Sequence, residues 1–390
     1  MRVKHLTLSN FRNHKSTDVA LEPGVNIFLG ENGHGKTNIV EAVHYLATTG
    51  SHRVAGFLPL INAAAEQAIV RAKLGNGDRE VMLEVELNKN DKNRASVNKA
   101  KPGAVRSLLG YLNTVTFAPE DLDIIRRDPS NRRAFIDGLI AQLQPRFAAV
   151  FADYDRVLKQ RNTLLKSAKT NRVQGSALST LDAWDEQLVS LGTQIVSARG
   201  NLIDRLNPEL LTAYQQIAVS RNQPVIRLRS SLLATAVPSW GDEDEETELE
   251  YLDERDAEKI AELFRARLAA LREKELERGL TLAGPQRDDL VLLLNDLPAK
   301  GYASHGESWS YALALRLASL ALHRADSNSG DPVLILDDVF AELDETRRNR
   351  LADLVISNEQ VLITSADAEV IPSVLKAKVF HVKQGVVTDG

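Results

Sequence analysis

The chain contains no cysteine. That absence excludes disulfides, thiol nucleophiles and cysteine-ligated zinc or iron–sulfur centres, and it agrees with a reducing compartment. Long apolar runs are missing too. No stretch reaches the roughly 18 residues of a membrane span, and the opening MRVKHLTLSNFRNH lacks the apolar segment of a secretory leader. A cytosolic protein with no membrane partner is the expectation. The eight histidines show no metal-ligand spacing. Nor is positive charge in excess: 48 Lys and Arg against 53 Asp and Glu leave a net charge of −5, so any nucleic-acid binding must come from local basic patches. No internal repeat is found. What is present is 390 residues, 43% of them hydrophobic, enough for two or three cores at roughly 100–200 residues each.

The text of the chain changes character twice. It opens with strand-like VKHLTL and STDVAL, a turn at EPG, the strand VNIFLG and a helix from about Thr37 to Thr48. AIVRAKL and EVMLEVEL, separated by GNGD, read as a hairpin, and TVTFAP as a further strand. From residue 119 to 279 the text is mainly helical, with two long helices expected to pack antiparallel across the polar connector SAKTNRVQGSA, and with an acidic loop near 241–258. Strands return in DDLVLLL, PVLILDD, QVLITSA and KVFHVKQGVV. The predicted fold is α/β: residues 1–118 and 280–390 build one head, and 119–279 form an inserted helical lobe.

Residues 30–38 read GENGHGKTN, between an apolar strand and a helix. Gly30, Gly35, Lys36 and Thr37 fit the phosphate-binding pattern G-x-x-x-x-G-K-[ST] in the context it requires. Backbone N–H groups from Gly30, Glu31, Asn32, Gly33, His34, Gly35 and Asn38 can cradle a β-phosphate. Lys36 can reach the β- and γ-phosphates, and the Thr37 hydroxyl can ligate Mg²⁺. A nucleoside triphosphate is therefore the expected ligand. A second half-site is PVLILDDVF, an apolar strand that delivers Asp337 and Asp338 to its C-terminal edge. Asp337 is placed to hold Mg²⁺, and Asp338 to orient or deprotonate the attacking water. The third feature is Ser304-His305-Gly306-Glu307 before a strongly helical stretch, which alone reads as a helix cap and gains meaning from its place shortly before Asp337.

These motifs together resemble the RecF family of the SMC and cassette-type ATPases. The opening LTLSNFRNH…GVNIFLGENGHGKTNIVEAVHYL, then TGSHR, FAPEDL, DPSNRRAFID, GPQRDDL, SHGE and LDDVFAELD follow that family's order over nearly the whole chain. GPQRDDL has Gln286 where the family pattern leads to histidine, and the tail of SHGESWS departs from the usual signature. The resemblance implies an ABC-type P-loop ATPase head with a short helical arm. It also implies that Ser304, Gly306 and Glu307 of one protomer meet the γ-phosphate held by another, so that ATP closes a homodimer and hydrolysis opens it. The implied role is a DNA clamp at duplex and duplex/single-strand junctions that acts with RecR, RecO and the RecA recombinase.

Arg126, Arg127, Arg132 and Arg133 cluster at the entry to the lobe, and residues 145–172 hold seven Lys and Arg against two Asp. Such runs read either as solvated helix faces or as contacts to DNA phosphates, and Arg132 and Arg133 equally as partners of Asp128, Asp137 or nucleotide. A transporter ATPase would carry a signature closer to LSGGQ and a histidine after the strand that follows Asp338. Here that strand reads VLITSAD and offers Thr364 or Ser365 as the switch residue. A long-armed SMC-type tether would need far more heptad text between Lys36 and Asp337.

Overall fold

The computed structural model describes residues 2–77, 79–171, 179–218, 221–233, 250–326 and 330–390. It divides into two compact units. The head unit comprises Met1–Ile125, Glu209–Asn222 and Ala303–Gly390, and the arm unit Arg126–Pro208 and Gln223–Tyr302.

In chain order the elements are β1 (Arg2–Phe11), β2 (His14–Ala20), β3 (Gly24–Leu29), α1 (Lys36–Thr48), β4 (Gln67–Asn76), β5 (Arg79–Asn88), β6 (Arg94–Val97), β7 (Thr114–Phe117) and α2 (Leu122–Arg126). There follow α3 (Pro129–Leu143), α4 (Phe147–Asn171), α5 (Ser179–Ile217), β8 (Pro224–Arg229), α6 (Ala257–Arg278), β9 (Asp289–Leu294), β10 (Leu297–Pro298) and the short α7 (Ala299–Tyr302). The chain ends with α8 (His305–Asp326), β11 (Val333–Asp337), α9 (Glu345–Val355), β12 (Gln360–Ser365), β13 (Ala377–Lys383) and β14 (Val386–Asp389).

The head unit is built on two sheets. One is antiparallel, in the order β2-β1-β4-β5-β6, and its β4–β5 hairpin is the one expected from GNGD. The other runs β14-β13-β3-β12-β11-β7; β13, β3, β12, β11 and β7 are parallel and β14 closes one edge antiparallel. Strands buried on both faces read as continuous apolar runs, which is why VLILD of β11 and QVLITS of β12 are buried at every position. α1 packs against strands of both sheets. Its Ile39, Val40, Val43 and Leu46 recur at helical spacing and are fully buried, each contributing on the order of 1.5–3 kcal/mol. Where β3 runs into α1, the chain must turn sharply at the C-terminal edge of the parallel sheet, and the phosphate-binding loop sits there.

In the arm unit α4, α5 and α6 form a three-helix bundle. Arg161 meets Asp185 and Tyr154 packs at Gly192, so α4 and α5 are antiparallel as expected. Arg161 also meets Glu275, and Lys166 packs at Gly279, so α6 runs parallel to α4. The middle of the connector between α4 and α5, residues 172–178, lies outside the described residues, as do 241–249 of the acidic loop.

The arm departs from a purely helical reading at two places. The helical run from Arg132 breaks at Pro145 into α3 and α4, because proline removes a backbone donor and restricts the residue before it. PVIRLR, six residues inside helical text, is the strand β8, which pairs antiparallel with β9. That pairing places GPQRDDL in the arm unit, whereas the sequence reading assigned 280–302 to the head. Residues 119–125 stay with the head, where Asp121 is ion-paired to Arg316 of α8.

Candidate nucleotide site

The loop between β3 and α1 is shaped by backbone that only glycine adopts readily. Gly33 and Gly35 have φ of 82° and 111°, and Gly35 ends the loop as the cap of α1. A Cβ on Gly35 would lie 2.6 Å from Asn13 Oδ1 and 2.8 Å from His14 Nε2, and one on Gly30 would lie 2.2 Å from the Val382 carbonyl oxygen. The loop is held from outside. Asn13 Nδ2 donates to the His34 carbonyl at 3.0 Å, the buried His14 Nε2 to the Gly35 carbonyl at 2.9 Å, and the Gly385 N–H to the His34 carbonyl at 2.9 Å. Asn38 of α1 donates to Asn13 Oδ1 at 2.8 Å. Glu31, Asn32 and Gly33 at the tip are exposed. Lys36 is buried, and its Nζ donates back across the loop to the Glu31 carbonyl at 3.2 Å and Asn32 Oδ1 at 3.4 Å.

β12 lies between β3 and β11, in register so that Asp337 is opposite Thr364 and Ser365 opposite Leu29. That register sets Thr364 beside Asp337, where Thr37 and His52 join them. Asp337 Oδ1 accepts from Thr37 Oγ1 at 2.8 Å and from Thr364 Oγ1 at 2.6 Å, and its Oδ2 lies 3.5 Å from His52 Nε2. Burial would raise the Asp337 carboxyl, but the nearby His52 imidazole and the hydrogen bonds from Thr364 and Thr37 outweigh it and hold the pKa below the ordinary value. Asp338 follows in the left-handed region, φ 52°, with its N–H donated to Thr364 Oγ1 at 3.0 Å. Its carboxyl is shifted the other way: burial raises it, nearby Lys36 opposes, and the Asp337 charge reinforces the rise. Two adjacent acids are thus pushed apart in acidity, one held as a carboxylate and the other made more basic. Ser365, by contrast, serves its own turn, donating to the Asp367 carbonyl at 2.7 Å.

Ser304, Gly306 and Glu307 stand at the start of α8. Glu307 N–H donates to Ser304 Oγ at 3.3 Å and Ser304 N–H to Glu307 Oε2 at 2.9 Å, a reciprocal cap that holds the Glu307 pKa down. Asn222 Nδ2 donates to the other Glu307 oxygen at 2.8 Å. Glu307 therefore braces the helix start, while Ser304 is exposed. Arg347 lies against Gly306, where a Cβ would come within 3.1 Å of its Nη2, and it is tied to Ser310 and Asp344.

The arginine cluster does not act as one surface. Arg132 is buried and bidentate on Asp289, at 2.7 and 2.9 Å, with its third branch on the Arg127 carbonyl at 2.8 Å. Arg133 is half-buried and donates to the Asp288 carbonyl at 2.7 Å. Only Arg126 and Arg127 of the four are exposed. In the run 145–172, Arg161 is fully buried in the bundle. Gln286 accepts from the Tyr154 hydroxyl and donates to the Ala283 carbonyl at 2.9 Å, a packing role inside the arm unit.

Several functional contacts carried no readable spacing in the sequence. Asn13 and His14 reach the site from the β1–β2 turn and His52 from the segment after α1, and Arg12, at φ 55°, makes a bidentate pair with the fully buried Glu41 of α1 at 2.8 and 2.9 Å. The motifs SNFRNH and TGSHR contain all four loop residues, but their partners are set only by the fold.

Residues 2–388 match the RecF/RecN/SMC N terminal domain family. The chain is 51% identical over 398 residues to the DNA replication and repair protein RecF of Clavibacter michiganensis subsp. michiganensis, covering 100% of this chain and 96% of that protein. It is 48% identical over 391 residues to the protein of the same name from Leifsonia xyli subsp. xyli, covering 100% of both. Among solved structures, that of the recombination mediator protein RecF-ATPrS in the RecFOR pathway superposes with a TM-score of 0.86 at 27% identity, over 100% of this chain and 98% of the other. An Smc head domain derived from Pyrococcus furiosus shares the fold, with a TM-score of 0.53 at 16% identity over 99% of this chain and 95% of that one.

Proposed function

The chain belongs to the RecF family of the SMC-type ATPases, and from that premise we propose that it is an ATP-driven DNA clamp of recombinational repair, working in the cytosol. One observation carries the reading: the Thr37 hydroxyl of the phosphate loop is hydrogen-bonded at 2.8 Å to Asp337, with the more basic Asp338 beside it. A hydroxyl and a carboxylate are hard oxygen donors that suit Mg²⁺, and Mg²⁺ bound there would neutralise charge on the β- and γ-oxygens of ATP.

The chain's own groups divide the remaining work. Loop N–H groups and Lys36 hold the phosphates, the exposed tip from Glu31 to Gly33 and Asn38 complete the cradle, and Thr364 fixes the direction of Asp337. Asp338 takes the proton of the attacking water as it adds in line to the γ-phosphorus and ADP leaves. Ser304 and Gly306 of one protomer meet the γ-phosphate held by another, and Glu307 keeps that helix start in shape. Charge-assisted hydrogen bonds of roughly 1.5–3 kcal/mol each make dimerisation depend on an intact γ-phosphate. The closed dimer holds duplex DNA and duplex/single-strand junctions and works with RecR, RecO and RecA.

The test is binding to blunt duplex, single strand and gapped duplex of equal length, with and without a non-hydrolysable ATP analogue, across a salt series. Duplex-containing DNA bound only with the analogue, with affinity falling steeply with salt, is the expected result. Equal binding without nucleotide, or none under any condition, overturns the clamp. Ser304→Arg is expected to abolish the ATP-dependent dimer in sedimentation while ATP binding by the monomer persists.

A further inference from the structure

The β5–β6 end of the head's antiparallel sheet carries cations that the ATPase reading does not use. From residue 89 to 106 the chain has Lys89, Lys92, Arg94, Lys99, Lys101 and Arg106 against a single acid, Asp91, in a protein of net charge −5. Arg94 is paired to Asp91, and Lys89 donates to the Ala63 carbonyl at 3.2 Å. Lys92, Lys99, Lys101 and Arg106 are exposed, and none is paired with an acid among the described residues. Elsewhere on the same sheet Lys4 and Lys73 pair with Glu80, and Arg71 with Glu84.

The backbone here is also held in an unusual shape. β6 turns through Asn98 and Lys99, both in the left-handed region at φ 53° and 60°. Such turns favour glycine or asparagine, so a lysine at the second position is a poor choice for the fold alone. The frame is well tied. Asn98 N–H donates to the Met82 carbonyl at 2.8 Å, Met82 N–H to Asn98 Oδ1 at 2.9 Å, and Ala95 and Gly103 exchange hydrogen bonds of 3.0 and 2.8 Å. Lys99 and Lys101 thus project from a braced turn at the sheet edge.

We propose that this turn and the segment through Arg106 form a contact surface for the phosphate backbone of duplex DNA. The inference rests on the clamp reading and names where the DNA is gripped. Around and between Lys99, Lys101 and Arg106 stand Asn98, Ala100, Pro102, Gly103, Ala104 and Val105, the last packed against the head's core, with no aromatic or large apolar anchor of the kind a protein partner draws on. Phosphate oxygens need only charge and donors, and they give affinity without sequence preference. Lysines at a sheet edge also discourage edge-to-edge pairing, a role that charged side chains of either sign can fill. Charge reversal therefore separates the two.

The experiment compares wild type, the triple variant Lys99→Glu/Lys101→Glu/Arg106→Glu, and the charge-keeping Lys99→Arg/Lys101→Arg. Duplex binding is measured with a non-hydrolysable ATP analogue over a salt series, and the ATP-dependent dimer by sedimentation. The triple variant is expected to bind at least about tenfold more weakly and to lose about 2–3 from the log–log salt slope, at about 0.9 per phosphate contact. Its dimer should form normally, and the arginine variant should match wild type. Wild-type affinity in the triple variant overturns the surface and leaves the clamp standing. Weaker binding with an unchanged salt slope, or loss of the dimer, also overturns it, assigning the segment to folding or to contact between copies. If the wild type binds no duplex, the clamp itself fails, and this surface with it.

Discussion

Arg161 in the arm and Asp337 in the head are both charged and almost wholly shielded, at 0% and 3% exposed, yet their surroundings differ in kind. Arg161 meets Asp185 at 2.6 Å, Glu275 at 2.6 Å and the Thr281 hydroxyl at 2.8 Å, so each face of its guanidinium is answered within the bundle. Arg272 joins the same network through Asp182 and Asp185. Asp337 is answered by two hydroxyls and a histidine, and it stands beside a second acid, Asp338, near which Lys36 is the cation. A closed network of opposite charges fixes the geometry of an arm. A cluster left acidic, with one carboxyl pushed down and its neighbour pushed up, is set for chemistry on a ligand that brings its own charge.

The largest expected effect falls on the acidic cluster. Asp338→Asn keeps the shape and removes the proposed base, so ATP turnover should drop about 10²–10⁴-fold while ATP binding and the nucleotide-dependent dimer persist. Lys36→Ala should do the reverse, costing about 100-fold or more in ATP affinity by calorimetry. Undiminished turnover in the asparagine variant would remove Asp338 from catalysis and erase the contrast with the arm.

The arm should respond in stability instead. Glu275→Ala leaves Arg161 buried with half its compensation and strips the Leu282 N–H of its acceptor at 2.7 Å. A loss of about 3–5 kcal/mol is expected in denaturant unfolding. If ATP affinity fell in parallel, the two networks would not be independent.

The difference between the regions also decides what the sequence could disclose. The phosphate loop is contiguous, and its chemistry dictates its neighbours, so the meeting of Thr37 with Asp337 was readable from residues 300 positions apart. Between Thr364 and Ser365 the sequence left the choice open; the register of β12 sets Thr364 against Asp337 and leaves Ser365 to its own turn. The partners of Arg132 and Arg133 were not legible: the sequence offered solvent, DNA, Asp128, Asp137 or nucleotide, whereas Asp289 and the Asp288 carbonyl arrive at the start of β9 from 157 and 155 positions away. Nothing in a local charge run distinguishes a solvated arginine from one awaiting a distant acid. β8 was missed for a related reason: PVIRLR alternates buried and exposed positions over only six residues, and its strand character depends on pairing with β9. His14 and His52 act through backbone and side-chain contacts that no spacing encodes.

A histidine of the head gives a pH test of intermediate size. His323 in α8 is buried, its Nε2 lacks a hydrogen-bond partner among the described residues, and burial lowers its pKa from 6.5 to about 4, with Asp326 opposing. The folded state therefore binds this proton less readily than the unfolded chain. Its stability is intact above about pH 6.5 and falls as pH drops from there toward about 4, where the folded histidine charges as well. At about pH 5 the loss is roughly 2 kcal/mol at 1.36 kcal/mol per unit. His323→Leu should flatten that part of the stability–pH curve, and an unchanged slope would place the acid sensitivity elsewhere, with His14 and His44, whose pKa values burial also lowers.

The smallest change in the folded protein is expected at Gly306. A Cβ there meets only the far end of Arg347, at 3.1 and 3.5 Å, and that guanidinium can shift by a few tenths of an ångström while keeping Asp344 and Ser310. Alanine also gains up to about 1 kcal/mol of helix propensity over glycine, so Gly306→Ala should alter unfolding stability by less than about 1 kcal/mol. Gly35 is the opposite case, since its φ of 111° and the atoms of Asn13 and His14 within 2.8 Å leave alanine no room. If Gly306 is small for the sake of a partner's γ-phosphate, Gly306→Ala should weaken the ATP-dependent dimer about tenfold in sedimentation although its melting is normal. A wild-type dimer would mean that the glycine serves Arg347 of its own chain, and the signature would then act through Ser304 and the helix start alone.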